Sequence, residues 1–170
     1  MEEFIGTKRL LAKPMTLGDY NKYQGWTIPA DQNPDDKGYL VEYLDGGKQN
    51  HRDHKGYISW SPEEQFENAY HNTAIGMTFG HAVEMAKAGR KVARHGWNGK
   101  GMWVIYNPGS EGKTHSMFDG SVYKTHGVDE CEILPHFDMY TVNSEGRRAM
   151  LVGMPFSSSD IVATDWVVVD

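Results

Sequence analysis

The chain has 170 residues and a formal net charge of −6, with 39% hydrophobic and 24% charged residues. This composition indicates a globular protein with a hydrophobic core rather than a disordered chain. Proteins that bind DNA or RNA polymers usually carry a basic surplus, so no nucleic-acid polymer is expected as a partner. A small anionic ligand is still allowed, because one pocket needs only local positive charge.

Cysteine content and apolar runs restrict the setting of the protein. Cys131 is the single cysteine, so no disulfide can form within the chain. The first residues are acidic, and no segment reaches the roughly 20 apolar residues that cross a bilayer. We therefore expect no secretory signal, no membrane association and a reducing cytoplasm.

Residues 1–72 are predicted to form an N-terminal extension module. An early strand should end at Pro14, and a short helix should lie between a Thr16 cap and a Gly25 stop. The stretch "YLVEYLDGGKQNHRDHKGYISW" predicts a β-hairpin whose turn is supplied by Asp45-Gly46-Gly47.

A second helix is predicted after this hairpin, with Ser61 as its N-cap and Pro62 at its first position, running to about Tyr70. The hairpin is rich in aromatic residues, which either form a base-stacking surface or pack as its core. Packing as core is the commoner arrangement for such residues in a small hairpin. They are Tyr39, Tyr43, Tyr57 and Trp60.

Residues 73–170 are predicted to form the second domain. Thr78 should cap a helix that Gly89 ends, with one apolar face that includes Phe79. Several strands, a short helix capped by a serine and a Val-rich final strand follow. This order predicts an α+β fold: a capped helix packed on a meandering antiparallel sheet, preceded by an α+β extension that contains the hairpin.

Catalytic and metal-binding patterns are weak in this sequence. It contains no G-x-S-x-G elbow, Walker loop or H-E-x-x-H motif. His51 and His54 of "HRDH" have no obvious third metal ligand, so a solvated loop is expected there. Cys131 precedes an apolar pair and suits a small core residue better than a nucleophile. We expect no catalytic residue, no metal and no cofactor.

The turn "RHGWNGKG" has the components of a nucleotide-binding site. Arg94 can pair with a phosphate, Trp97 offers a flat face to a base, and Asn98 can bind a base or ribose edge. The glycines around them allow close approach of the backbone. The spacing alone also fits, slightly better, with Trp97 as a core residue and Arg94 as a surface residue, and both interpretations stay open.

The stretch "MTFGHAVEMAKAGRKVARHGWNGKGMWV" resembles the opening of the phage Thoeris anti-defence proteins of the second type, and "SSSDIVATDWVVVD" is similar to their ending. The resemblance covers about residues 77–170. The chain departs from the family between Asn107 and Pro135, which is longer than in the shortest members, and near Met154, where members often have Trp. Residues 1–72 match only extensions found on some phage homologues.

The resemblance implies a protein that sequesters immune signals and is not an enzyme. Members bind cyclic ADP-ribose isomers made by TIR-domain proteins, and some also hold cyclic oligonucleotides of the CBASS defence system. It further implies a homotetramer with pockets between subunits, acting in the cytoplasm of the infected bacterial host. The ligand-binding candidates that it implies by position are Phe79, Arg94, Trp97, Asn98, Asp160 and Asp165.

Individual roles within this set follow only from chemistry. Arg94 would pair with the pyrophosphate, and an aromatic residue would stack on adenine. Asp165 could instead fix Arg94, and Trp166 suits the core better than a ligand contact. Two other functions stay open: an enzyme that degrades the same signals, and a phage structural or protein-interaction module.

Overall fold

The computed structural model describes residues 1–97, 101–109 and 132–169. The chain divides into two compact units, Met1–Tyr70 and His71–Asp170, which are called unit 1 and unit 2 below. In the described residues no helix is long and apolar enough to cross a membrane.

Unit 1 is a three-stranded antiparallel sheet with two short helices. Its elements, in chain order, are β1 (Leu10–Pro14), α1 (Leu17–Gln24), β2 (Gly38–Tyr43), β3 (Ile58–Pro62) and α2 (Glu63–Ala69). The strand order is β1-β2-β3, so β2 is central. Helix α1 begins where the side chain of Thr16 accepts from the Asp19 amide, and it ends at Gly25, whose φ is 74°. The core of unit 1 is formed by Tyr20, Leu40 and Ile58.

Two predictions for the start of α2 are wrong: Ser61 is not its N-cap, and Pro62 is not its first helical residue. Ser61 does not cap α2, because β3 continues through Ser61 and Pro62, which pair with Tyr39 and Gly38 of β2. Helix α2 therefore begins at Glu63 without a side-chain cap. A proline is tolerated there because β3 is an edge strand of this sheet, where a missing N–H leaves no partner unpaired.

The connection between β2 and β3 is a largely exposed loop, as expected, but its two histidines are packed against neighbouring side chains. The side chain of His54 is only 14% exposed, and its Nδ1 lies 2.7 Å from Oε2 of Glu42. Its Nε2 lies 3.0 Å from the hydroxyl of Tyr23, and the ring of His51 stacks on Tyr23 with centroids 4.3 Å apart. These contacts hold the connection against the sheet and α1, so the two histidines of "HRDH" have a packing role while Arg52 and Asp53 between them stay exposed.

In its described residues, unit 2 is a five-stranded antiparallel sheet with one main helix. Its elements are α3 (Phe79–Lys87), β4 (Lys91–Arg94), β5 (Trp103–Asn107), β6 (His136–Val142), β7 (Arg148–Leu151), α4 (Ser158–Ile161) and β8 (Trp166–Val169). The strand order is β7-β6-β5-β4-β8. Strands β4 to β7 follow one another as a meander, and β8 returns to pair with the other edge of β4. The α+β fold class predicted from the sequence is confirmed.

Helix α3 packs its apolar face on this sheet. Its N-terminal amide at His81 donates to the side chain of Thr78, and the chain leaves the helix through Gly89, whose φ is 84°. Ala82, Met85 and Ala86 of α3 are buried against residues of four strands. These are Val92, Val104, Met139 and Trp166. The fully buried Trp166 lies beside Arg94 in the β4–β8 pairing, which brings the core next to the candidate site.

Candidate functional site

The candidate site lies where β4 ends and β8 begins. Arg94 is the last residue of β4 and is paired with Trp166, the first residue of β8. Asp165 directly precedes β8, and Asp160 lies in the short helix α4. The antiparallel pairing of β4 with β8 therefore brings together residues about 70 positions apart in the sequence.

The guanidinium of Arg94 bridges two carboxylates. Its Nε donates to Oδ1 of Asp165 at 2.8 Å, and its Nη1 donates to Oδ1 of Asp160 at 2.7 Å. The side chain of Arg94 is 18% exposed, that of Asp165 33% and that of Asp160 11%. Such charge-assisted bonds with limited water access are among the stronger polar interactions in proteins. We call Arg94, Asp160 and Asp165 the arginine–carboxylate cluster.

The arginine–carboxylate cluster also fixes the start of the turn after β4. Oδ2 of Asp165 accepts from the Gly96 amide at 2.9 Å, and Oδ1 of Asp160 accepts from Nε1 of Trp97 at 3.2 Å. A Cβ added at Gly96 would lie 3.1 Å from Oδ2 of Asp165, closer than most side-chain contacts allow. The close approach of the backbone to the carboxylate therefore favours glycine at this position.

Asp160 is held in turn by its own helix. Ser157 is the N-cap of α4, and its hydroxyl donates to Oδ2 of Asp160 at 2.6 Å. The Ser157 amide donates to the same oxygen at 3.1 Å, which completes a capping box. The carboxylate of Asp160 thus accepts four hydrogen bonds, and these fix the direction in which it meets Arg94 and Trp97.

The hydrogen bonds in the cluster favour the ionised carboxylates. Burial by itself would raise the pKa of Asp160, but bonds from Ser157, Arg94 and Trp97 outweigh it and lower the pKa to about 2. The bond from Arg94 likewise lowers the pKa of Asp165, against the effect of burial. The pKa of Arg94 is raised, first by Asp165 and then by Asp160. At neutral pH the cluster therefore carries one positive and two negative charges, a net charge of −1.

Four aromatic side chains lie beside the cluster, and we call them the aromatic wall: Phe79, Trp97, Phe156 and Trp166. Trp97 meets the buried Trp166 edge-on, with centroids 5.3 Å apart. Phe79 is the first residue of α3, and the centroid of its ring lies 5.6 Å from that of Trp166 and 4.8 Å from that of Phe156. Phe79 and Trp97 are both half-buried, so each contributes to the core and also presents part of its ring to the surface.

Most of the predicted site residues meet in one place. Arg94, Trp97, Asp160 and Asp165 share direct hydrogen bonds, and Phe79 joins them through the aromatic wall. Asn98 lies outside the described residues. Asp165 does fix Arg94, and Trp166 is a core residue, as the chemistry of the sequence suggested.

The sequence interpretation predicted a serine cap for α4 but missed that Ser157 holds Asp160, and it missed the contribution of Phe156. The "S-x-x-D" spacing from Ser157 to Asp160 is the signature of a capping box and would have identified the partner of Asp160. Phe156 has no comparable signal, because its contacts with Phe79 and Trp166 depend on the tertiary fold. The predicted pairing of Arg94 with a phosphate also needs revision, since Nε and Nη1 are already occupied by carboxylates.

Metal binding has no support in the part of the chain that the structure describes. No group of three or more His, Cys, Asp or Glu residues there is placed to hold an ion. Chemically, the cluster offers carboxylate acceptors, an oriented guanidinium and an aromatic wall. These are groups that bind a small polar, ring-containing molecule.

Fold and site together describe a small α+β domain with a polar cluster beside an aromatic wall. The family model of the Tad2-like, or Thoeris anti-defense 2-like, domain matches residues 77–169, more than half of the chain. The chain therefore belongs to the Thoeris anti-defence 2-like family, and this membership supports a role in countering Thoeris defence. No curated protein sequence matches the chain.

Proposed function

We propose that this protein binds and sequesters cyclic nucleotide immune signals, with cyclic ADP-ribose isomers as its main ligands, and that it does not degrade them. The observation that carries the proposal is the arginine–carboxylate cluster beside Phe79 and Trp97, within the anti-defence domain. Cyclic oligonucleotides of the CBASS system are further candidate ligands. The protein would act in the cytoplasm of the infected bacterial host.

The cluster suits the neutral parts of such a ligand. Asp165 is the more exposed carboxylate and is placed to accept hydrogen bonds from ribose hydroxyls or from an adenine amine. The exposed part of Phe79 or Trp97 would stack on the adenine ring.

The pyrophosphate must be bound by other donors, because the cluster has a net charge of −1. Nη2 of Arg94 makes no hydrogen bond within the described residues, so it is the guanidinium donor that a phosphate oxygen could use. Arg94 would then hold the site together through Nε and Nη1 and contact the ligand through Nη2. Asn98 remains a proposed ligand contact.

Sequestration requires tight binding. A Kd of about 10 nM corresponds to about 11 kcal/mol. A preorganised site reduces the cost of ordering side chains on binding. The hydrogen bonds that Trp97 and Gly96 donate to Asp160 and Asp165 supply such order before the ligand arrives.

We further propose that the protein is a homotetramer with ligand pockets between subunits. The sheet of unit 2 has a second face, opposite α3, where Trp103 stacks on Tyr140 with centroids 4.8 Å apart beside the half-buried Ile105. Such an aromatic face suits a subunit contact. Sedimentation equilibrium of the full chain tests this directly, since a mass near four times 19.2 kDa is expected. A monomer mass would contradict the tetramer.

Titration calorimetry with purified cyclic ADP-ribose isomers tests the binding site. Trp97→Ala removes both the ring and the bond to Asp160, whereas Trp97→Phe keeps a ring and loses only that bond. We expect a loss of more than 100-fold for Trp97→Ala and a smaller loss for Trp97→Phe. Trp26→Ala in unit 1 is the matched control and should bind like the parent. Equal affinity of Trp97→Ala and the parent would show that the site is wrongly placed.

A further inference from the structure

Unit 1 contains a surface cleft that the anti-defence domain does not include. The cleft has a volume of about 560 Å³ and lies between α1 and the segment that leads to β2. Its apolar lining is Trp26, Ile28 and Pro34, and its polar lining includes Asp19, Lys22 and Asp35. This volume is within the range of small-molecule sites, about 300 to 1,000 Å³.

The walls of the cleft are fixed by backbone contacts. The amide of Trp26 donates to the Asn21 carbonyl at 2.8 Å, directly after the left-handed Gly25 ends α1. On the opposite side, the Gly18 amide donates to the Pro34 carbonyl at 2.9 Å. A Cβ at Gly18 would lie 2.8 Å from Cβ of Pro34, so glycine is needed for this close packing. The cleft therefore exists before any ligand binds.

Trp26 is an unusual residue to leave in water. The residue is 57% exposed, although its indole meets the ring of Tyr20 at nearly a right angle with centroids 6.1 Å apart. The contact with Tyr20 holds the indole in place, while more than half of the residue stays accessible in the lining of the cleft. An accessible, positioned Trp face beside Pro34 is a platform on which a flat ring or a face of C–H groups can stack.

The polar groups at the rim are available for a ligand. Within the described residues, the side chains of Asp19, Lys22 and Asp35 make no hydrogen bond or ion pair. Two carboxylates and one ammonium give the rim a net charge of −1. Carboxylates accept hydrogen bonds from hydroxyl groups, the ammonium donates to them, and the net charge disfavours a phosphate-bearing ligand.

We propose that this cleft binds an uncharged sugar ring of the pyranose class. The C–H face of the ring stacks on Trp26, and its hydroxyls donate to Asp19 and Asp35 and accept from Lys22. This is a second ligand site, separate in chemistry from the nucleotide site of unit 2, and it gives unit 1 a function of its own.

Saturation-transfer NMR on the full-length protein tests this proposal with glucose, galactose, N-acetylglucosamine and adenosine as probes. We expect saturation transfer to at least one of the three sugars, a Kd of about 1 mM, and quenching of Trp fluorescence. Trp26→Ala should weaken binding at least 10-fold. Asp35→Asn should also weaken it, whereas Asp31→Asn, outside the lining, should leave it unchanged.

Circular dichroism of each variant distinguishes loss of the ligand from loss of the fold, and Asp35→Asn remains as a test if Trp26→Ala does not fold. Transfer to adenosine but to none of the sugars would overturn the pyranose assignment. Sugar binding that Trp26→Ala and Asp35→Asn both retain would overturn the location, as would absence of transfer to all four probes. Trp97→Ala should leave sugar binding unchanged, so the two proposed sites fail or stand independently.

Discussion

Removal of the Asp160 carboxylate should destabilise unit 2 by about 3 kcal/mol. Asp160 accepts from Nη1 of Arg94, Nε1 of Trp97, and both the amide and the hydroxyl of Ser157. Breaking a buried ion pair by removing one partner costs about 3–5 kcal/mol. Asp160→Ala should fall at the lower end of that range, because Arg94 keeps its second partner, Asp165.

Native-state hydrogen exchange of the full chain, read by mass spectrometry, measures this change. Peptides from His71–Asp170 should show a loss of protection of about 3 kcal/mol in Asp160→Ala, a factor of roughly 150 in the opening equilibrium. Peptides from Met1–Tyr70 provide the internal reference, since every hydrogen-bond partner of Asp160 lies in unit 2. Glu84→Ala is the matched control, because its exposed pair with Lys87 is worth less than about 1 kcal/mol.

Two results would refute this reasoning about Asp160. A loss below about 1 kcal/mol in unit 2 would mean that the cluster is no stronger than an exposed ion pair. An equal loss in Glu84→Ala would mean that any change of charge in unit 2 has the same effect. Asp160→Asn keeps the size of the side chain and should fall between the parent and Asp160→Ala, since it keeps one acceptor oxygen.

Three further predictions concern pH and packing. The parent should be more stable than Asp160→Asn above about pH 4, and this advantage should decline as pH falls towards 2, because the pKa of Asp160 is lower in the folded state than in the unfolded state. A constant difference in urea midpoints across this range would contradict it. Gly96→Ala should cost about 1 kcal/mol in urea unfolding by pushing Asp165 from the Gly96 amide, and unchanged stability and unchanged ligand affinity together would refute that contact. His81 has a lowered pKa, from burial first and from His71 second, so it contributes stability above its unfolded pKa of 6.5 that is lost as pH falls. Thermal unfolding of His81→Gln should lack this part of the acid sensitivity, and the same pH profile as the parent would show that His81 is not its source.

Local signals in the sequence predicted much of the fold. Thr78 and Gly89 bracket α3, and Thr16 and Gly25 bracket α1, because caps and left-handed glycines act within one turn of the helix. Ser61 had the same local signal, but the cap predicted there is wrong because pairing with Tyr39 keeps Ser61 in β3. At this position the pairing of β3 with β2 therefore overrides the local sequence signal for a helix cap.

The candidate site could be predicted only in part. The family resemblance named Arg94, Asp160 and Asp165, but the two bonds from Arg94 to carboxylates depend on the antiparallel pairing of β4 with β8. No local sequence pattern predicts the pairing of two strands that lie some 70 residues apart. The His54 contacts with Glu42 and Tyr23 were missed for the same reason, because three separate elements supply them.

The recovery of ligand from the protein tests the central claim most directly. The full-length protein is mixed with a cyclic ADP-ribose isomer, free ligand is measured by chromatography, and the protein is then denatured by heat. Sequestration predicts that free ligand disappears on mixing and returns unchanged in full after heating. Trp97→Ala, used at a concentration below its weakened Kd, should leave most of the ligand free. Ligand that returns as a different compound would show turnover, and ligand that never leaves solution would show that the protein does not bind it; either result would contradict the account.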